Sequence, residues 1–398
     1  MAIAELKKAP NVNEIIKRVL MVLLVLFVFL VSLSLMSGGF KLLGKGVAEE
    51  IMLATSNPFI GLFVGLLATA LVQSSSTTTS MIVAIVASGA ITLENAVPMI
   101  MGANIGTSVT STIVALGHLT RKAEIGKAIS AATVHDFFNL IVVLVLFPLE
   151  YFFGFLSTIG GTIGSFLYSG SADEGVKMFS IMGVTVKPTA KAIISLLGSN
   201  GWLVIGVSIV ILFFSLRSFT VLLKKLLIGD SQKKMEQYVF SKPLQSLLWG
   251  AGLTAAVQSS SVTTSVTVPL VATNKLSLEK AFPFLMGANI GTTVTALIAA
   301  ASQTEAALSI ALCHLLFNLI GVVILFPIPI LRKIPIFLAE SLGKATVKHR
   351  ITGFAYVLVT FFLVPFVLIY ITANNGSGDI PAPKVEQVEQ VPVNQTSN

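Results

Sequence analysis

The sequence predicts an all-α polytopic membrane protein. It is expected to hold two inverted-topology repeats, each with a simple transmembrane span, a re-entrant helical hairpin and a broken helix. Three observations predict this. First, long stretches carry no charge: none lies between Ile51 and Leu93, from Pro243 to Asn274, or from Ala281 to Thr304. About 20 apolar residues suffice to cross a bilayer. Second, a polar passage is written twice at a spacing of 185 residues. Gln73-Ser74-Ser75-Ser76 returns as Gln258-Ser259-Ser260-Ser261, and Met101–Thr107 returns as Met286–Thr292. Third, basic residues cluster at opposite ends of the two simple spans, as the positive-inside rule requires of inverted copies.

The elements follow in order. Residues 1–18 carry Lys7, Lys8, Lys17 and Arg18 and read as a cytoplasmic N-terminus. No small-residue cleavage site follows convincingly, so the run from Val19 to Met36 reads as a retained span. Repeat 1 occupies 19–149: a simple span at 19–38, a polar-interrupted region at 51–93, a second at 95–117 and a helix at 123–148. A Gly- and Ser-rich connection at 150–198 is charge-neutral and reads as extracytoplasmic. Repeat 2 occupies 199–331: a simple span at 200–223, broken regions at 244–278 and 280–301, and a helix at 305–327. Residues 332–373 combine a basic segment (Arg332, Lys333, Lys344, Lys348, Arg350) with a last span at 352–373 that has no counterpart in the first half. Residues 374–398 are polar and read as a disordered tail.

Composition narrows the function. The chain of 398 residues is 54% hydrophobic and 11% charged, against about 25% charged in soluble domains. The net charge of +8 is a membrane-topology signal rather than a nucleic-acid footprint. Cys313 is the sole cysteine, which excludes a disulfide framework within one chain. No metal-ligand cluster and no nucleophile–base–orienter set is legible, so no enzyme, cofactor or transition-metal site is expected.

The hydroxyl run Gln73–Ser80 lies near the middle of an uncharged region of 43 residues. Ser and Thr are indifferent inside helices but good N-caps. The chain should therefore enter the membrane, turn at Gln73–Thr77 and return as a helix whose N-terminal N–H groups face the centre. Gln258–Thr264 should do the same from the opposite face. In the second break, Gly102 and Gly106 flank Asn104, as Gly287 and Gly291 flank Asn289. These glycines are expected to let the backbone leave helical geometry and free carbonyls for a hard cation. Scattered Ser and Thr in membrane helices usually serve helix packing. Matched runs at a fixed spacing point instead to a transport site. None of the broken segments contains Lys or Arg, so an anion there is expected to need co-bound cations, and the two bindings would then be linked.

Acids and histidines are few at membrane depth. His135 and Asn139 share a helix face, as do His314 and Asn318, and both pairs should bond across helices. Asp136 has Leu315 as its counterpart and is a candidate cation ligand, with a partnership to His135 as the alternative. Glu94 and Glu279 fall at matched positions and should cap the following half-helices.

The twin Gln-Ser-Ser-Ser runs, the twin Gly-Ala-Asn-Ile-Gly-Thr runs and Thr133-Val134-His135-Asp136 resemble the type II sodium-dependent phosphate cotransporters over about residues 15 to 370. The resemblance implies inward symport of inorganic phosphate with Na+ by alternating access across a plasma (inner) membrane. It implies phosphate binding at Ser74, Ser75, Ser76, Ser259, Ser260 and Ser261. Sodium binding is then expected at Gln73, Thr77, Asn104, Thr107, Gln258, Asn289, Thr292 and Asp136. Lipid is the surrounding partner, and the oligomeric state stays open, a homo-oligomer included. The cysteine-free 150–198 connection and short tail differ from vertebrate members and suggest a bacterial one. Another oxyanion or a carboxylate, with proton coupling, is the alternative within the architecture; an ion channel is the alternative outside it.

Overall fold

The computed structural model describes residues 12–118, 120–173, 177–227, 238–301 and 303–375. Residues 1–11 of the expected N-terminal stretch, Lys233, Lys234 and the tail beyond 375 lie outside them. The first half holds α1 (Val12–Leu42), α2 (Gly44–Thr55), α3 (Pro58–Val72), α4 (Ser75–Ser88), α5 (Leu93–Gly106), α6 (Val109–Leu116), α7 (Lys122–Phe153), α8 (Phe155–Asp173) and α9 (Lys177–Leu196). The second holds α10 (Gly201–Leu227), α11 (Pro243–Val257), α12 (Ser260–Ala272), α13 (Leu278–Ala300), α14 (Glu305–Leu325) and α15 (Pro329–Lys348). The last span is α16 (Ile351–Leu358), a π-helical turn (Val359–Leu363) and α17 (Val364–Asn375).

Among the described residues, seven helical stretches are long and apolar enough to cross a membrane, and α2–α3, bent by 98°, would make an eighth. The bend has a local cause. Pro58 cannot continue α2, and Asn57 turns extended while its side chain accepts the Phe59 N–H at 3.0 Å. By contrast α4 and α12 have 14 and 13 residues, about 20 Å of helix against about 30 Å of hydrocarbon. They are half-length elements, each joined to α3 or α11 by a two-residue break.

The two halves build the same core from the same residues. Helix α5 packs along α3, and α13 along α11. A Cβ added to Gly102 would lie 1.8 Å from the Leu62 carbonyl oxygen; one added to Gly287 would lie 1.9 Å from that of Leu247. Gly65 and Gly250 meet the Met99 and Phe284 oxygens in the same way, each at 2.0 Å. Every partner pair is related by the 185-residue spacing. This corrects the expectation for the glycine-flanked asparagines. Residues 101–106 are helical, the first copy breaks only afterwards at Thr107–Ser108, and α13 runs through the second copy without interruption. The glycines serve backbone-to-backbone approach of helices, as small residues do in membranes, rather than local unwinding.

Two helices exchange halves. Helix α8 packs on α14 of the second half, and α15 packs on α7 of the first. The contacts match again: a Cβ on Gly164 would strike the Ser309 hydroxyl, and one on Gly343 the Ser130 hydroxyl, both at 2.2–2.3 Å. Glu150 starts α8 by accepting the Leu156 and Ser157 N–H groups at 2.6 and 3.2 Å. Helices α5–α6, α7 and α13 are mostly buried, whereas α1, α10 and α16–α17 are less than half buried, as helices that face lipid on one side are.

Candidate functional site

The two Gln-Ser-Ser-Ser runs make the same turn. Gln73 and Gln258 end their helices in the left-handed region at φ 55° and 57°. They are two of only four non-glycine residues with positive φ among the described residues. Such backbone is uncommon outside glycine and is worth a functional question. Ser74 and Ser259 then turn extended and cap the returning helices: their hydroxyls accept the Thr77 and Val262 N–H groups at 3.2 and 3.4 Å. The expected turn and hydroxyl-capped return are thus present in both copies.

The turns meet. The Ser76 hydroxyl donates to the Gln258 carbonyl at 3.3 Å. Thr110 donates to the Gln73 carbonyl at 3.4 Å, and Thr295, its match at the 185-residue spacing, donates to the Gln258 side-chain oxygen at 2.7 Å. A cavity of about 340 Å³ opens between them. Its wall takes Gln73, Ser74, Ser76 and Thr77 from one repeat, Gln258 and Ser259 from the other, and Phe213, Leu216, Arg217 and Val221 from α10. Two half-helices therefore point their N-termini, with hydroxyls and spare N–H groups, at one polar space. That is an anion-binding arrangement.

Other expected site residues lie around the cavity rather than on its wall. Ser75 and Ser260 are buried and Ser261 is half-buried in the first turns of α4 and α12. Thr107 and Thr292 are buried and donate to Ala103 and Ala288 carbonyls one turn earlier, at 3.1 and 2.9 Å. Asn104 and Asn289 sit in a crossed network. The His135 imidazole N–H donates to the Asn289 side-chain oxygen. The Asn289 amide donates to Asn139 at 2.8 Å, and Asn139 donates to the Asn104 carbonyl at 2.7 Å. His314 and Asn318 then donate to the Asn104 side-chain oxygen at 3.3 and 3.2 Å. Each half's His–Asn pair thus holds the other half's asparagine, which realises the expected bonding across helices. Buried amides left unpaired cost about 1–3 kcal/mol each, so the network fixes how the halves sit together.

Asp136 is fully buried. One carboxylate oxygen accepts the Tyr356 hydroxyl at 3.0 Å; the other has no hydrogen-bond partner. Its partner is thus Tyr356 on the last span, not the expected alternative, His135. The buried Thr69 and Thr254 hydroxyls, matched at the 185-residue spacing, also lack partners. These oxygens suit a hard cation. Among the described residues no group of three or more His, Cys, Asp or Glu is gathered.

The sequence reading missed three contributors. Thr110 and Thr295 carried a signal, since they obey the same spacing as the motifs. Arg217 carried none, because it lies in a simple span outside every polar break, and it brings a basic residue to the cavity that the broken segments themselves lack.

A family model described as Na+/Pi-cotransporter matches residues 28–157 and 211–360. Sodium-dependent phosphate transport protein 2A of Mus musculus is 34% identical over 442 aligned residues, covering 92% of this chain and 69% of that protein. The 2A protein of Oryctolagus cuniculus is 35% identical, covering 87% and 66%. Sodium-dependent phosphate transport protein 2B of Homo sapiens is 32% identical, covering 89% and 65%. No solved structure matches the chain significantly.

Proposed function

The chain belongs to the Na+/Pi-cotransporter family, and from that premise we propose that phosphate is carried inward through the cavity between the twin Gln-Ser-Ser-Ser turns. The activity is sodium-coupled phosphate symport by a multi-pass membrane protein; it is transport, not enzymatic turnover. One observation carries the assignment of the site: the two repeats present their hydroxyl-capped half-helices to a single cavity, joined by the Ser76–Gln258 hydrogen bond.

In this reading Ser74, Ser76 and Ser259 offer hydroxyls to phosphate from the wall, and Ser75, Ser260 and Ser261 complete the two N-terminal turns behind them. Sodium ions take oxygens from Gln73, Thr77, Gln258, Thr107, Thr292, Asn104, Asn289 and Asp136. The unpartnered Asp136 oxygen and the spare lone pairs of the threonine hydroxyls are the features that favour them. Cation binding lowers the cost of placing a multiply charged anion at membrane depth, and the anion strengthens cation binding by the same factor. The repeats are inverted, the N-terminus is cytoplasmic and the membrane is the plasma membrane. The basic ends of α1 and α10 support this orientation, and the cysteine-free 150–198 connection supports a bacterial member. Alternating access then moves the α3–α4 and α11–α12 pairs against α1 and α10.

The test is uptake of labelled phosphate into proteoliposomes under an imposed Na+ gradient. Saturable accumulation that stops when choline or a proton gradient replaces Na+ is expected. Equal accumulation without Na+, non-saturating flux, or preference for sulfate or a carboxylate would overturn the reading.

A further inference from the structure

Among the described residues, Arg217 is the one charged group on the cavity wall. It comes from α10, the seventeenth of that helix's 27 residues, and shares its face with Phe213 and Val221 one turn away on either side. Both line the cavity with it. Lys224 and Lys225 follow about 10 Å farther along α10. Arg217 is exposed and lies near the end of the apolar stretch Gly201–Ser218. No carboxylate is among the lining residues, which are otherwise hydroxyl, amide and apolar. Among the described residues Arg217 has no ion-pair partner, and it lines a cavity onto which two helix N-termini open. Its planar fork matches the oxygens of a tetrahedral oxyanion two at a time.

We propose that Arg217 is a phosphate-binding residue, which donates from α10 to the oxyanion held between the two Gln-Ser-Ser-Ser turns. This rests on the site reading above. It adds a fixed protein cation to the mobile ones. Sodium then need not supply all the compensating charge, and the doubly charged form of phosphate gains most from the guanidinium. It also ties α10 to the cargo, so the simple span senses whether the cavity is filled.

The test is equilibrium binding of labelled inorganic phosphate to purified full-length protein at saturating Na+, at pH 6 and pH 8. For Arg217→Gln the Kd should rise about tenfold or more, with the larger rise at pH 8. Arg217→Lys should recover part of the loss. In the unaltered protein, phosphate with Na+ should shield Arg217 from phenylglyoxal, read by peptide mass spectrometry, whereas Na+ alone should not. A Kd within twofold of the parent for Arg217→Gln at both pH values, or modification of Arg217 indifferent to phosphate, would overturn the proposal. Ser76→Ala separates the two levels of inference. If it abolishes binding while Arg217→Gln binds normally, only the arginine falls. If neither variant changes binding, the cavity itself is misassigned.

Discussion

Replacing Gly287 by Ala tests whether the glycines of the repeated motif exist for helix approach. The added methyl would sit 1.9 Å from the Leu247 carbonyl oxygen, 2.8 Å from its carbon and 2.9 Å from the Ala251 nitrogen. All three are backbone atoms of α11 and cannot rotate away. Restoring even a 3.0 Å contact requires α13 to withdraw from α11 by about 1 Å, and a gap of that size forfeits a quarter to a half of each dispersion contact it opens. Overpacking of this kind costs about 1–3 kcal/mol, and a backbone neighbour puts it at the upper end. Alanine regains about 0.5–1 kcal/mol of helix propensity, which leaves a net loss of about 2 kcal/mol. Gly252→Ala on α11 is the control, because nothing lies within 4 Å of its added carbon; it should be neutral or slightly stabilising. Thermal unfolding of both proteins in one detergent, followed by loss of the monodisperse peak, gives the comparison. Gly102→Ala should behave like Gly287→Ala, since its clash with Leu62 is as severe at 1.8 Å. Equal melting of Gly287→Ala and Gly252→Ala would refute close approach as the reason for the glycine.

Asp136→Asn keeps the shape but removes an ionisable carboxyl beside Tyr356, so the charge moved per phosphate or the Na+ dependence should change; an unaltered current-to-flux ratio removes Asp136 from the cation path. Asn289→Ala leaves His135 and Asn139 without their partner and should cost about 2 kcal/mol or more. A double-mutant cycle with His135→Ala should then show a coupling of about 0.5–3 kcal/mol, and strict additivity would contradict the crossed network. Ser259→Ala removes an N-cap and should destabilise by about 1 kcal/mol as well as weaken phosphate affinity; wild-type values for both would rule out the capped turn as a binding element.

The helices were legible where one physical signal dominated. Apolar runs marked α13, α14 and the last span to within a few residues, and the hydroxyl run marked the α3–α4 and α11–α12 turns because Ser caps helices. Gly102 and Gly287 misled for a reason internal to glycine: its missing Cβ permits both unwinding and close packing, and only the neighbour helix decides which is used. The exchange of α8 and α15 left no local trace, since partner choice lies in contacts such as Gly164–Ser309 across the halves. Arg217 was invisible for the same reason. Its chemistry depends on which face of α10 meets the cavity, and residues before and after it in sequence say nothing of that.

The crossed histidine–asparagine network also bears on synthesis. Asn104 is made 210 residues before the His314 that holds it. At about 5–20 residues per second, roughly 10–40 s pass before its amide meets its partner. During that interval the nascent first half has amide and imidazole groups in a greasy environment, and nothing of its own can satisfy them all. The polypeptide must therefore mature as a whole. Insertion machinery or transient water has to shelter the early helices, and severing the chain between the halves would leave neither able to complete itself.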